Sequence, residues 1–547
     1  MSLILSKLYC SYGRVPRFIT RVVFSISMGV SEPDPEFSKR ATSNLITEVL
    51  YVVIAAVIGL VMVPYYIDEL GMVAYAIVPL ATSVTSYVMI IADSFCSSVN
   101  RFLVVSLERG SEDEVRTIFS TSMFSILRIV LIVMPIMAIL AYLSPMIFDA
   151  PDSSFWAVRS LFLMVLWSAL IVAVGSCFNN ALIAKNKIYS INIARISYLV
   201  LQVGFIVLLF SFGTPKLEYI GLAYLISSLF YLVVSYVLMK LDFPWLGISL
   251  RSRDPAYLRD IDRLSVWSIV NRVGSLLSLQ ASLIMTNLFL GAYDEGSFSL
   301  VVSLVSMIST ACMAIANVFN PFLFRYYSLD DMGSMVDTGR MGMRFLSLLL
   351  AMPLAFVCIF SQELLTAWVG PEYVFLDDVI WVMFMFLTMQ SSMSILDVVP
   401  TITLRIKGMA LITVGFGILN LILATLFCLF TDWGLMGVAV AWAISMTLRG
   451  CVAYPIYISW TMGTDRRSFF GPQFVGAILF IVSVFMMYVL SMVITMPTSL
   501  ISIIPIFIVI YVVYLLISMR FVFRGKDKEM LLTFMPDRIS ELIARII

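Results

Sequence analysis

Long apolar runs separated by short polar stretches dominate the chain from residue 43 to residue 522. A helix needs about 20 mainly apolar residues to cross a bilayer. Fourteen runs meet that measure: 43–66, 72–99, 118–144, 156–184, 189–212, 219–240, 263–289, 295–320, 340–362, 376–400, 408–430, 434–460, 472–494 and 499–522. The second, fourth and twelfth are interrupted by small or polar residues. The pattern predicts an all-α polytopic membrane protein with about 14 transmembrane helices. Two flanking segments differ. Residues 17–29 mix Arg17 and Arg21 with Phe18, Ile19, Val22, Val23 and Phe24, as in an amphipathic helix lying on a membrane surface. Ile539, Leu542, Ile543 and Ile546 repeat at helical spacing and suggest a second such helix. Leu3-Ile4-Leu5 is too short for the core of a signal peptide.

Composition supports the pattern. Of 547 residues, 61% are hydrophobic and 13% are charged. That charged share is about half the usual one for a soluble domain. So much apolar surface needs lipid, because one soluble core stops growing at about 250–300 residues. A soluble enzyme, a disordered chain and a disulfide-stapled domain are thereby excluded. The net charge of +1 offers nothing to nucleic acid. The 7 Cys are scattered through apolar runs without a CxxC, which fits packing rather than metal or disulfide. The absence of His removes most zinc sites and imidazole chemistry. Gly525-Lys526 is followed by Asp527 and lacks the upstream glycine of a nucleotide-binding loop, so the chain carries no ATP motor.

Charge sets the expected orientation. Of 35 Lys and Arg, 29 fall in the two terminal segments and in alternate loops; the opposite loops hold only Lys216. By the positive-inside rule both termini are cytoplasmic. The seven opposite loops are all short, leaving no external domain for a catalytic site. The expectation is a multi-pass protein of the cytoplasmic membrane that is a transporter and not an enzyme.

The first six runs map onto the next six at an offset of 220. Leu70-Gly71 matches Leu290-Gly291, and Asn100-Arg101-Phe102-Leu103 matches Asn320-Pro321-Phe322-Leu323. Lys185-x-Lys187 matches Arg405-x-Lys407, and Gly221-Leu222-Ala223 resembles Gly437-Val438-Ala439 after a short slip. Six is even, so the repeat is parallel, about an axis along the membrane normal. The expected organisation is an amphipathic segment 1–42, an N-lobe 43–240, a charged linker 241–262, a C-lobe 263–461, two extra helices in 470–522 and an amphipathic tail 523–547. Two six-helix lobes about such an axis leave a central cleft.

A six-plus-six parallel repeat with two extra helices resembles the multidrug/oligosaccharidyl-lipid/polysaccharide (MOP) exporter superfamily. Val63-Pro64 followed by Leu70-Gly71-x4-Ala76, with its second copy Leu290-Gly291-x4-Gly296, is similar to the polysaccharide transporter branch, the O-antigen-type oligosaccharide flippases. Asn100-Arg101-Phe102 and Gly437-Val438-Ala439 are similar too. The resemblance covers about residues 43–522. It implies transport of a lipid-linked oligosaccharide from the cytoplasmic to the outer leaflet, with membrane lipids around it and a glycan polymerase or glycosyltransferases as partners in surface polysaccharide synthesis.

Ionisable groups at membrane depth are functional candidates. Arg128, Arg195, Arg272 and Arg449 each lie about 6–12 residues from the cytoplasmic end of a predicted span, or roughly 9–18 Å deep at helical rise. A guanidinium fork suits a phosphate or pyrophosphate. Arg272 is favoured because Asn271, Gln280 and Asn287 make its helix unusually polar. Glu48, Asp93 and Asp397 could couple transport to an Na⁺ or H⁺ gradient; the plainer reading pairs them with these arginines as structural bridges. Arg159 reads as a snorkelling residue, and Asn100 and Asn320 as helix-end residues. No tightly bound cofactor is expected. Three alternatives stand beside the flippase reading: a lipid II-type flippase, a multidrug cation exporter of the same superfamily, and a non-transporting membrane scaffold of glycan assembly.

Overall fold

The computed structural model describes residues 35–108, 111–148, 155–185, 187–248, 255–403, 405–494, 497 and 500–522. The two amphipathic segments expected at 17–29 and 539–546 lie outside these residues. All described secondary structure is helical. Among the described residues twelve helices are long and apolar enough to cross a membrane, and a bent pair, Pro371–Phe384 with Leu387–Ile402, makes a thirteenth. The remaining expected span falls in the 37-residue helix Met72–Glu108.

The helices are α1 (Pro35–Leu70), α2 (Met72–Glu108), α3 (Glu112–Ile147), α4 (Phe155–Ala184), α5 (Ile188–Phe212) and α6 (Leu217–Asp242). Then follow α7 (Pro255–Leu290), α8 (Ala292–Ser328), α9 (Met332–Ile359), the bent pair as α10, α11 (Ile406–Phe430), α12 (Leu435–Met462), α13 (Phe470–Ser491) and α14 (Leu500–Val522). The expected starts at 43 and 263 prove late: helix begins at Pro35 and Pro255. The loops expected at 67–71 and 290–294 shrink to single residues, Gly71 and Gly291, with φ of +78° and +95°. Only glycine adopts that backbone freely, so each Leu-Gly pair turns the chain in one residue. Asn100 and Asn320 therefore lie inside continuous helices and not at their ends.

The repeat is visible in these boundaries. α1 and α7 are both 36 residues, α2 and α8 both 37, and each pair starts 220 positions apart. α5 and α11 are both 25 residues long, 218 positions apart, so half of the four-residue slip noted in the sequence falls before α11. α1–α6 pack among themselves, as do α7–α12, while α13 and α14 dock on α9. The bundles meet where α1 and α2 face α7 and α8.

The two ends of this contact differ. The basic face carries Lys185, Lys187, Lys240, Arg405 and Arg467; the opposite face carries Gly71, Lys216, Gly291 and Asp432 and is charge-poor in the sense of Lys and Arg alone, because acids such as Asp68, Glu69 and Asp377 lie there. Near the charge-poor face one hydrophobic core runs through both bundles, from Met62, Tyr66 and Ile77 to Phe298 and Val301. Near the basic face the first bundle keeps a separate core, with Phe95, Phe119, Cys177 and Met239 among its members.

Candidate functional site: a cavity on the repeat axis

A cavity of about 320 Å³ lies between the bundles, lined from α1, α2, α7 and α8. Leu60 and Gln280, Pro79 and Ser299, and Thr82 and Val302 all line it. Each pair is separated by 220 positions. Repeat-equivalent residues can share one lining only where the repeat axis passes, so the cavity is central.

Its chemistry is neutral. Thr82, Gln280, Ser299, Ser303, Ser306 and Thr310 contribute the polar groups, and among the described residues no charged side chain lines it. The helix supplies the hydroxyls at the cost of their donors. Thr82 donates to Pro79 O at 3.0 Å, Ser299 to Gly296 O at 2.6 Å, Ser303 to Ser299 O at 2.7 Å and Thr310 to Ser306 O at 2.9 Å. Hydroxyls committed this way keep lone pairs for an incoming donor. The lining is therefore a set of acceptors suited to a polyhydroxylated ligand.

The charge-poor end of the cavity is shut. Trp368, in the short helix Ser361–Trp368, donates its indole N–H to Leu60 O at 2.7 Å. That carbonyl is free because Pro64 has no N–H to give the residue four positions before it. Tyr75 Oη and Ser299 Oγ meet at 3.3 Å across the bundles. Gly296 approaches so closely that an added Cβ would stand 2.7 Å from Met72 Sδ and 3.0 Å from Ala76 Cβ. Ala76 and Gly296 are themselves a repeat pair, so α2 and α8 cross on the axis.

The residues singled out in the sequence distribute around this cavity. Gln280 lines it. Arg272 is exposed and stands eleven residues before the lining residue Leu283 on α7. Eleven residues is three turns, so Arg272 shares Leu283's face about 16 Å nearer the basic end. Its repeat partner, Val52, is a lining residue. Glu48 lies three turns before Gly59, another lining residue, and accepts a 2.8 Å hydrogen bond from Asn192 Nδ2. Arg195 is exposed and lies over the Tyr51 ring at 5.6 Å. Arg128 is exposed on α3, with no partner recorded among the described residues. Asn271 is half-buried with Oδ1 unpartnered and, half a wheel from Gln280, points away from the lining. The Asp93 side chain lies outside the described residues.

Asp397 and Arg449 belong to a different place, inside the second bundle. Asp397 Oδ1 accepts from Tyr454 Oη at 2.7 Å, and Arg449 is close enough to attract it electrostatically. Asp397 has exposed surface although protein surrounds it closely, the mark of a side chain in a crevice. Arg449 sits in a π-helical turn of α12, Leu448–Ala453, and α10 bends by 46° three turns before Asp397. Arg449 thus lies near Asp397, as a structural pairing would place it. Arg159 donates Nε–H to Tyr142 O at 2.9 Å and stacks on that ring, away from the cavity.

Sequence reasoning missed Trp368, Tyr75 and Glu295. Glu295 is fully buried one turn above Ser299, and both its carboxyl oxygens lack a hydrogen-bond partner. Its signal was hidden because residue 295 sat at the edge of an expected loop.

An all-helical, two-lobed fold with a central cavity is the architecture of a membrane transporter. The family described as polysaccharide biosynthesis protein matches residues 41–327, and the chain belongs to it. Its fold is that of the MOP superfamily. An inward-facing multidrug resistance MATE transporter of that superfamily superposes with a TM-score of 0.60 at 15% identity, covering 81% of this chain and 99% of its own. A MOP transporter from Pyrococcus furiosus, described as having a binding pocket of reversed polarity, gives 0.55 at 14%, covering 78% and 96%. The uncharacterized membrane protein EpsK of Bacillus subtilis is 25% identical over 408 residues, 75% of this chain and 81% of its own.

Proposed function

We propose that the protein is a flippase that moves a lipid-(pyro)phosphate-linked oligosaccharide from the cytoplasmic to the outer leaflet by alternating access. The observation that carries this reading is the central cavity itself: acceptor-rich, uncharged, and on the axis relating the two lobes. Sugar hydroxyls donate to such a lining, and their burial without partners would cost several kcal/mol each against hydrocarbon. An organic cation would instead need acidic lining residues. The MATE-like fold favours no cargo by itself.

The basic face is cytoplasmic on the positive-inside rule. The shared core and the Trp368–Leu60 contact then close the outer end, while the separate core of the first lobe leaves the cytoplasmic halves less tightly joined. Cargo enters from the cytoplasm. Arg272, on the cavity face of α7, receives the phosphate between lipid and glycan, and Arg195 and Arg128 offer further cationic surface. The lipid tail stays in the bilayer.

Flipping in proteoliposomes tests this. Labelled lipid-pyrophosphate oligosaccharide is placed in the leaflet facing the basic loops. Wild type should translocate it, Arg272→Ala should lose at least about tenfold, as for a charge-assisted hydrogen bond of about 1.5–3 kcal/mol, and Arg272→Lys should retain part. Unchanged flipping by Arg272→Ala would return that residue to a structural role. Export of an organic cation, without any lipid-linked glycan moving, would sink the flippase reading.

A further inference from the structure

We infer that Glu295 is a proton-binding site that latches the outer gate, so that closure of the outer end takes up a proton; this rests on the alternating-access reading above. Glu295 lies on the cavity stripe of α8. Ser299 follows one turn later, Val302 two turns and Ser306 three turns, all on one face and all lining the cavity. Glu295 therefore stands at the cavity's outer end, in the layer where Gly296 presses on Met72 and Ala76 and Tyr75 meets Ser299.

The carboxyl there is fully buried, and neither oxygen finds a donor among the described residues. Tyr75, its repeat counterpart on α2, is the titratable group that senses it from the opposing lobe. Tyr66 of α1 stacks behind Tyr75 at 6.3 Å, and Tyr224 of α6 also senses Tyr75. The half-buried Asp294 precedes it on α8. No described Lys or Arg acts on it. An ionised carboxylate so placed has neither counter-charge nor hydrogen bond, whereas a proton on either oxygen neutralises it.

A metal cation fits less well. No group of three or more acidic or cysteine side chains that could hold a metal occurs among the described residues. The positive end of the α8 dipole in that first turn disfavours a metal cation, and it offsets only part of the cost of burying the ionised carboxyl. When the lobes part at the outer face, water reaches the carboxyl and the proton leaves. Closure binds a proton and opening releases it, so raising the pH drives the gate open. One proton gives at most a tenfold change in the open-to-closed ratio per pH unit.

The test is a distance measurement between spin labels at Lys216→Cys and Asp432→Cys, on charge-poor loops of opposite lobes, in a full-length background with the native cysteines replaced, in nanodiscs without cargo. The wild-type background should shift from short to long distance as pH rises. Glu295→Gln, which keeps the shape and cannot ionise, should stay short at every pH. Glu295→Asp should restore the shift. A pH response of Glu295→Gln equal to wild type, or a wild type that shows none, overturns the inference. Because no glycan is present, either result is independent of the cargo. If flipping fails for every lipid-linked glycan while the gate still titrates through Glu295, the cargo reading falls and this one stands.

Discussion

The indole of Trp368 shows how one residue can join two bundles. Pro64 removes the N–H that would have bonded Leu60 O, and an orphaned carbonyl in a membrane must find another donor. Trp368 supplies it at 2.7 Å while filling the outer end of the cavity. Trp368→Phe keeps the ring and removes the donor. Leaving the carbonyl unsatisfied costs about 1–3 kcal/mol, so the closed-to-open ratio should fall at least about fivefold. In a Pro64→Ala background the new N–H competes for the same carbonyl, and the same substitution should matter less. A double-mutant cycle on the Lys216–Asp432 distance reads this directly; additive effects would show that the two residues do not share the carbonyl. Pro64 was legible in the sequence, but its partner 304 positions away was not, because nothing local in Trp368 says which carbonyl it faces. Arg272 was legible from its polar helix. Glu295 was not, since its burial depends on a turn made by Gly291 alone.

At the scale of elements, the two bundles repeat the same plan with different joints. α7 and α11 cross at glycines: a Cβ on Gly274 would stand 2.6 Å from Val414 N, and one on Gly417 would stand 2.8 Å from Gly274 O. Asn420 adds hydrogen bonds to Ser278 O at 2.9 Å and Ser282 Oγ at 3.0 Å. The equivalent pair in the first bundle, α1 and α5, has Ile54 at the position of Gly274 and meets instead through Asn192, Thr47 and Glu48. Small residues let membrane helices approach closely, where packing rather than solvent exclusion holds them. Gly274→Leu drives a side chain into backbone that cannot rotate away, so it should destabilise by more than the usual 1–3 kcal/mol of an overpacked core. Thermal unfolding should show it, whereas Gly415→Leu, on the exposed side of α11 with nothing within 4 Å of a Cβ, should leave stability unchanged. A similar melting loss for both would refute the crossing. Apolar run length marked nearly every helix in advance. It missed the bend of α10 and the π turn of α12, because both keep an apolar composition while changing only the hydrogen-bond pattern.

At the scale of the whole molecule the proline device recurs in the second bundle, to a different end. Pro353 in α9 frees Leu349 O as Pro64 frees Leu60 O, and Tyr511 of α14 donates its hydroxyl there at 2.9 Å. Gln473 of α13 reaches Gly450 O at 2.8 Å, and Gly476 lies against Ser347 of α9. The two extra helices are thus fastened to the second bundle by contacts that do not cross to the first. That arrangement suits a buttress: it stiffens one body while leaving the joint between bodies to Trp368, Tyr75 and Glu295. The two carbonyl caps therefore separate stability from gating. Tyr511→Phe should lower the melting temperature by a few degrees, the size expected for about 1–3 kcal/mol in a chain this long, and leave the Lys216–Asp432 distance distribution unchanged. Trp368→Phe should move the distribution by more than it moves the melting temperature. If Tyr511→Phe instead opens the outer gate, α14 takes part in the movement and the second bundle is not the fixed body of the pair.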